Sequence, residues 1–163
     1  MKLNEITVPS MNGGGIVSWL KKMQITNYTI QPNGIVDVDD DVDISLRHLT
    51  HIPCQFGKVN GKFECSFRNF PSDIGGFLSC SSLPNLTSFH NIHKIVKSIS
   101  EEFLCDDNII KSHVLGLLLI KNLTRVDGIK DVEHIINKYL PLGDIHLCQE
   151  ELIQAGFPEY AKL

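Results

Sequence analysis

The sequence lacks any apolar segment long enough to cross a membrane. Its two longest apolar stretches run from Val114 to Ile120 and from Ile135 to Leu142, whereas a membrane-spanning helix needs roughly 20 apolar residues. The first residues, MKLNEITVPSMNGGG, have no apolar run after the lysine, so they lack the pattern of a signal peptide. We therefore expect a protein of the cytoplasm that has no membrane partner.

Positive charge is also scarce. The chain has 15 lysines and arginines against 19 aspartates and glutamates, a net charge of −4, and its basic residues are scattered. Proteins that neutralise several phosphates of DNA or RNA usually carry a stripe of basic residues. The composition therefore argues against nucleic acid as the partner.

Closely spaced cysteine pairs are absent from the sequence. The number of cysteines, five, is odd, and no two of them show the Cys-x₂₋₄-Cys spacing that is usual in zinc sites. We therefore expect reduced thiols, no metal site and no cofactor. Cys65, Cys80 and Cys105 recur at equivalent positions of a repeat, which predicts a ladder of small buried side chains. A zinc site built from these three residues is the alternative.

Short catalytic motifs are missing as well. The sequence contains no G-x-S-x-G, no phosphate-binding P-loop and no H-E-x-x-H zinc motif. A cysteine–histidine nucleophilic pair is left open because its members need not be close in sequence. The pairs His48–His51 and His90–His93 are predicted to lie on an exposed polar face, with a pH-sensitive contact as the alternative.

One acidic run, at residues 37–43, lacks the calcium-binding pattern that ends in glutamate. Its aspartates alternate with Val36, Val38 and Val42, which predicts the solvated outer face of short strands. An acidic patch that meets a basic partner is the alternative.

The chain does contain internal repeats. The phrase Leu-Thr-polar-apolar occurs at residues 49–52, 86–89 and 123–126, so its copies are evenly spaced. From Ile44, equivalent positions follow at Cys65, Cys80 and Cys105, and the interval from Cys65 to Cys80 is the shortest of the three. A period of about 20–29 residues that includes a short strand is typical of leucine-rich repeats. We therefore predict a short, irregular leucine-rich-repeat-like β-solenoid, in which the interval from Cys65 to Cys80 is too short for a full turn.

Different patterns flank the repeats and predict a cap at each end of the solenoid. Before them, a helix is predicted over residues 15–23, followed by two strands that meet at the Gln-Pro-Asn-Gly turn of residues 31–34. After them, one helix is predicted from Lys130 to Leu140 and another from Asp144, an N-cap residue, to about Ala155. The predicted fold class is therefore α+β, a single domain comprising an N-terminal helix and hairpin cap (1–40), degenerate repeats (41–127) and a C-terminal helical cap (128–163).

Several short segments also carry a family resemblance. They are VDVD at 36–39, VDIS at 42–45, LTHIP at 49–53, FGKVNGKFEC at 56–65 and much of the C-terminal segment 143–161. They resemble small leucine-rich-repeat-like proteins that are encoded by tailed bacteriophages. The resemblance covers roughly residues 15–163 and implies the solenoid fold, but most members have no assigned activity. The sequence departs from the family pattern at residues 69–75 and 91–100.

The resemblance and the missing catalytic motifs lead us to expect a non-catalytic protein-binding module. It would be a phage protein of the host cytoplasm that binds and modulates a host protein, such as a defence or transcription component. Loops inserted in solenoids often carry binding, so the irregular loops 66–75 and 81–98 are the predicted contact surface. The predicted binding residues within them are Phe67, Arg68, Phe70, His90 and His93. An enzyme or small-nucleotide-binding protein, and a structural protein of an oligomeric assembly, are the two alternatives.

Overall fold

The structure is a computed structural model, and it describes residues 13–45, 52–65, 70–80, 88–105 and 110–163. Its helices are α1 (Gly13–Lys22), α2 (Ile92–Ile95), α3 (Glu133–Tyr139) and α4 (Ile145–Gln154), together with a 3₁₀ helix, Leu115–Leu119. Its strands are β1 (Tyr28–Ile30), β2 (Val36–Val38), β3 (Val42–Ile44), β4 (Phe56–Val59), β5 (Phe63–Cys65), β6 (Asp73–Ile74), β7 (Leu78–Ser79), β8 (Ser98–Ile99), β9 (Glu102–Leu104) and β10 (Arg125–Asp127). Most of the first two Leu-Thr phrases, and both Phe67 and Arg68, lie outside the described residues.

Within the described residues, the chain coils between two sheets of five strands. The first sheet has the order β1-β2-β4-β6-β8 and the second the order β3-β5-β7-β9-β10. Every neighbouring pair is parallel except the β1–β2 hairpin, so each coil contributes one strand to each sheet. The path from β2 to β8 makes three full turns of a solenoid, and helices lie at both ends of the chain. The predictions of a β-solenoid and of terminal helices are therefore confirmed.

The strand register shows why the buried positions repeat. In the second sheet Phe63 pairs with Val42 on one side and with Leu78 on the other. Phe103 in turn pairs with Leu78 and with Val126, so the five residues form one row across the sheet. All five of these side chains are buried. Stacking identical positions of successive coils keeps one apolar row inside, which no single coil could bury by itself.

The predicted equivalence of Ile44 and the three cysteines agrees with this register. Ile44 pairs directly with Cys65, and Cys80 and Cys105 each come two residues after the paired Leu78 and Phe103. Both Cys80 and Cys105 are buried. At these two positions the small side chains therefore belong to the core; the side chain of Cys65 lies outside the described part of the chain.

The expectation that the interval from Cys65 to Cys80 is too short for a full turn was wrong. Asp73 pairs with Lys58 in the first sheet and Leu78 pairs with Phe63 in the second, so a complete coil, which we call the short coil, fits this interval. The reason lies at Gly75, whose amide donates a hydrogen bond of 2.7 Å to the carbonyl oxygen of Val59. A Cβ atom on Gly75 would lie 2.6 Å from the carbonyl carbon of Asn60. Because Gly75 has no side chain, the two backbones approach closely and the shorter path closes.

Aspartates of the first coil bind the second coil through its backbone and one side chain. Asp37 Oδ1 accepts a 2.8 Å hydrogen bond from the amide of Lys58, and Asp41 Oδ1 accepts one of the same length from Lys62. Between them, Asp39 accepts from the side-chain amide of Asn60. The half-buried Asp37 and the exposed Asp39 and Asp41 therefore also join the first two coils.

Helix α3 covers the last strand of the second sheet. Asn137 Oδ1 accepts a 2.8 Å hydrogen bond from the amide of Val126, and Asn137 Nδ2 donates one of 2.7 Å to the carbonyl oxygen of the same residue. The side-chain amide thus takes the place of a peptide group of the next strand, which protects the sheet edge. Asp144 N-caps α4 as predicted, accepting a 3.0 Å hydrogen bond from the amide of Leu147.

Candidate functional site

Two histidines of one coil, His90 and His93, lie near a third, His113, of the next coil, and His90 is close to both of the others. We call His90, His93 and His113 the histidine cluster. The rings of His90 and His113 meet edge to face, with 5.0 Å between their centroids. Nδ1 of His113 lies within hydrogen-bond distance of two hydroxyl groups: Ser88 Oγ at 3.1 Å and Ser112 Oγ at 2.9 Å.

The local backbone that presents these rings is unusual. Asn91 and His113 both adopt the left-handed conformation, with φ of 63° and 60°. For residues other than glycine this conformation costs roughly 1–2 kcal/mol, so the surrounding structure must hold it. Phe89 helps to stabilise this backbone, because its buried ring packs edge to face against Phe103 with 4.9 Å between ring centroids.

The last residues of the chain complete the cluster. The amides of His113 and Val114 donate 3.1 Å hydrogen bonds to the carbonyl oxygens of Glu159 and Tyr160. The backbone oxygen of Leu163 lies 2.9 Å from Nδ1 of His90. Residues 157–163 fold back on α4, where Gln149 Nε2 donates a 2.9 Å hydrogen bond to the carbonyl oxygen of Ala161. The C-terminal segment therefore ties α4 to the histidine cluster.

Both His93 and His113 are held in the neutral form at pH 7. Burial, followed by repulsion from Lys94 and Lys97, lowers the pKa of His93. Burial, followed by repulsion from His90 and Lys162, lowers the pKa of His113. Since the ordinary pKa of histidine is about 6.5, a lowered pKa leaves the ring uncharged at neutral pH. Nδ1 of His93 is buried and has no hydrogen-bond partner within the part of the chain that the structure describes.

Exposed apolar side chains lie on the segments that carry or adjoin the cluster. Ile95 on α2 is 42 % exposed, Leu119 at the end of the 3₁₀ helix is 44 % exposed, and Leu163 is 46 % exposed. Helix α2 packs against the 3₁₀ helix, and the amide of Leu115 donates to the carbonyl oxygen of Lys162, so the three segments adjoin. We call this surface, formed by α2, the 3₁₀ helix and the C-terminal residues 162–163, the α2 face.

A shallow groove lies next to this face. Its volume is about 520 Å³. Both apolar side chains and charged side chains of either sign line it. The lining residues are Ile110, Lys111, Ile129, Lys130, Asp131, Gly156, Phe157, Pro158, Glu159 and Tyr160. Neither a histidine nor a serine belongs to this lining, so the hydroxyl–imidazole contacts of the cluster lie outside this groove.

The predicted binding residues have different outcomes. His90 is exposed and His93 is half-buried; the fold brings His90 beside His113, and His93 lies near His90. Phe70 is only 4 % exposed, so its expected role as a surface anchor is wrong: its ring packs in the core of the short coil. Phe67 and Arg68 are outside the described residues.

Sequence reasoning missed His113. His113 follows His90 by as many residues as Val126 follows Phe103, and Phe103 and Val126 are paired across two neighbouring coils. A coil-length separation was therefore the available signal, because residues one coil apart become neighbours in a solenoid.

The buried cysteines allow a direct chemical test of the core assignment. Burial raises the pKa of the Cys54 thiol to about 12 and that of the Cys148 thiol to about 11. Only the thiolate is nucleophilic, so we expect iodoacetamide at pH 8 to alkylate both sites at least ~100-fold more slowly in the native protein than in guanidinium chloride. Site-resolved mass spectrometry measures these rates. Rapid native alkylation of either site would contradict its place in the core.

Neither membrane-spanning nor metal-binding features mark the described residues. Among them, no helix is long and apolar enough to span a membrane, and no group of three or more His, Cys, Asp or Glu side chains is placed to hold a metal ion. Comparison with protein-family models, curated proteins and solved structures found no match. The case for a function therefore rests on the geometry of this chain.

Proposed function

We propose that this protein is a non-catalytic binding module of the leucine-rich-repeat-like phage type, which binds and modulates a host protein through the α2 face. The observation that carries the proposal is the grouping of exposed apolar side chains on adjoining segments: Ile95 on α2, Leu119 on the 3₁₀ helix that packs against α2, and Leu163, whose backbone oxygen contacts His90. Apolar side chains grouped on a surface with polar surroundings are typical of protein-binding sites.

The rigidity of the α2 face supports this proposal. Three of its supports are specific: the Phe89–Phe103 ring contact, the hydrogen bonds from residues 113–115 to the C-terminal segment, and the packing of α2 on the 3₁₀ helix. A surface that is already ordered loses little conformational entropy when it binds, so more of its contact energy contributes to affinity.

One contact favours an enzyme as the second candidate. Ser88 Oγ lies 3.1 Å from Nδ1 of His113, as a nucleophile and a general base must. However, Ser88 Oγ also accepts a 3.2 Å hydrogen bond from the amide of His90, and Ser112 Oγ shares the same ring nitrogen. The pair also lies outside the groove lining, whereas catalysis needs a substrate-sized concavity around the nucleophile. A binding role therefore fits these contacts better.

Replacing Ile95 and Leu119 together with aspartate tests the binding face. The protein is immobilised and used to capture partners from a bacterial lysate, and each captured protein is quantified by mass spectrometry. Because two desolvated anchors become charged, the double variant should lower recovery of the specific partner at least tenfold, equivalent to about 1.4 kcal/mol.

The matched control is Val17→Asp on α1. Val17 is 43 % exposed, nearly the same as Ile95 and Leu119, and it lies at the N-terminal end of the solenoid. This variant should retain full recovery. Equal recovery with all three proteins would reject the α2 face, and light scattering of each variant shows whether a change in oligomeric state accounts for any loss.

A further inference from the structure

The α2 face is basic although the chain as a whole carries a net charge of −4. Lys94 and Lys97 flank the exposed side chain of Ile95, and both lysines are themselves exposed. The amide of Lys121 donates a 2.9 Å hydrogen bond to the carbonyl oxygen of Lys97, so a third exposed lysine lies on the neighbouring segment. Lys162 lies on the opposite side of the face, close enough to His113 to lower its pKa.

The acidic residues that adjoin this face are already engaged. Glu159 forms a 2.6 Å ion pair with Lys162. Asp73 accepts 2.7 Å hydrogen bonds from the hydroxyls of Ser72 and Ser98, and these bonds lower the pKa of its carboxyl group. Lys94 and Lys121 appear in none of the ion pairs that the described residues form. Neither ammonium group therefore makes a direct ion pair among these residues, and the charge of Lys121 contributes to the low pKa of Asp73.

We propose that the α2 face binds an acidic, amphipathic segment of a protein, whose carboxylates meet Lys94, Lys97 and Lys121 while a bulky apolar side chain contacts Ile95 and Leu119. This inference rests on the proposed function and specifies the chemistry of the partner. Complementary charge around apolar anchors steers association and selects the partner, while the anchors supply most of the affinity.

The same features disfavour a nucleic acid on this face. Proteins that bind single strands stack bases on exposed aromatic rings, whereas the exposed anchors here are the aliphatic Ile95, Leu119 and Leu163. Duplex binding uses a longer basic stripe that follows the phosphates. Three lysines near two aliphatic side chains match a short peptide of mixed acidic and apolar residues more closely than they match a nucleic acid.

The test is selection from a library of random 16-residue peptides displayed on filamentous particles, with the folded full-length chain immobilised. The expected consensus combines several Asp or Glu residues with one or two of Leu, Ile, Phe or Trp. The variant Lys94→Glu/Lys121→Glu should bind a selected peptide at least tenfold more weakly in fluorescence anisotropy. Raising sodium chloride from 50 to 300 mM should weaken binding to the unaltered protein severalfold, because salt screens exposed charges.

The matched control reverses the same number of charges elsewhere. Lys21→Glu/Lys22→Glu alters two exposed lysines of α1 and should leave peptide affinity within twofold of the unaltered protein. A neutral or basic consensus, or an acidic peptide whose affinity survives Lys94→Glu/Lys121→Glu, would overturn the proposal.

Two further results distinguish this inference from the proposed function. If lysate capture is lost in Ile95→Asp/Leu119→Asp but the selected peptides are not acidic, the binding face stands and the partner chemistry is wrong. If instead no peptide is selected, while labelled single-stranded RNA or vesicles containing phosphatidylglycerol bind and Lys94→Glu/Lys121→Glu abolishes that binding, both proposals fail because the partner is not a protein.

Discussion

Replacing Gly75 with alanine is expected to lower the free energy of unfolding by roughly 3 kcal/mol or more. The added Cβ atom would meet the carbonyl carbon of Asn60 at 2.6 Å, and its nearest neighbours are all backbone atoms of the preceding coil. A backbone held in a sheet cannot rotate away as a flexible side chain can. The two coils must therefore separate, which weakens the 2.7 Å hydrogen bond from the amide of Gly75 to the carbonyl oxygen of Val59.

Urea unfolding followed by circular dichroism measures this loss, and Gly14→Ala is the control. Gly14 lies in α1, and a Cβ atom there would have no heavy atom within 4 Å. Alanine favours the helix over glycine by about 1 kcal/mol, so the control should be as stable as the unaltered protein or slightly more stable. Similar midpoints for Gly75→Ala and the unaltered protein would show that the short coil is not closed by this backbone contact.

Truncating Phe103 to alanine should cost about 3–5 kcal/mol, the usual range for a fully buried phenylalanine. Phe103 is fully buried on an interior strand of the second sheet, between Leu78 and Val126. Its ring also packs edge to face on Phe89, two residues before the left-handed Asn91. The substitution should therefore loosen the support of α2 as well as the core.

Phe63→Ala separates these two effects. Phe63 is equally buried and occupies the same row, but its aromatic partner is Phe56, at 5.4 Å. Both variants should lose similar free energy of unfolding, whereas amide hydrogen exchange over residues 92–96 should be faster in Phe103→Ala than in Phe63→Ala. Equal exchange in the two variants would mean that α2 is held independently of the Phe89–Phe103 contact.

The repeat in the sequence predicted the solenoid because its cause is local and periodic. Equivalent positions recur at Ile44, Cys65, Cys80 and Cys105, and the paired strands of successive coils show the same spacing. Alternation around Val36 and Val38 predicted a strand whose two valines are buried, and Asp144 marked the start of α4. Each of these signals depends on neighbours within one strand or one helical turn.

The candidate site was predicted less completely. His90 and His93 were selected from one irregular loop, but the ring that meets His90 belongs to His113, which lies in the next segment along the solenoid. Phe70 was selected as a binding residue from an irregular stretch, yet it is buried in the hydrophobic core. A pattern in the sequence does not record which side of an irregular loop faces inward.

The amino-acid sequence by itself therefore determined the coil period, the apolar row and the helical ends, since burial at regular spacing leaves a readable pattern. Only the tertiary structure decided that the short coil closes at Gly75, that aspartates of the first coil bind the second, and that the ring of His90 meets that of His113 beside the backbone of Leu163. These outcomes depend on contacts between residues roughly one or more coils apart. Their energies arise when the coils stack, and no local pattern specifies them.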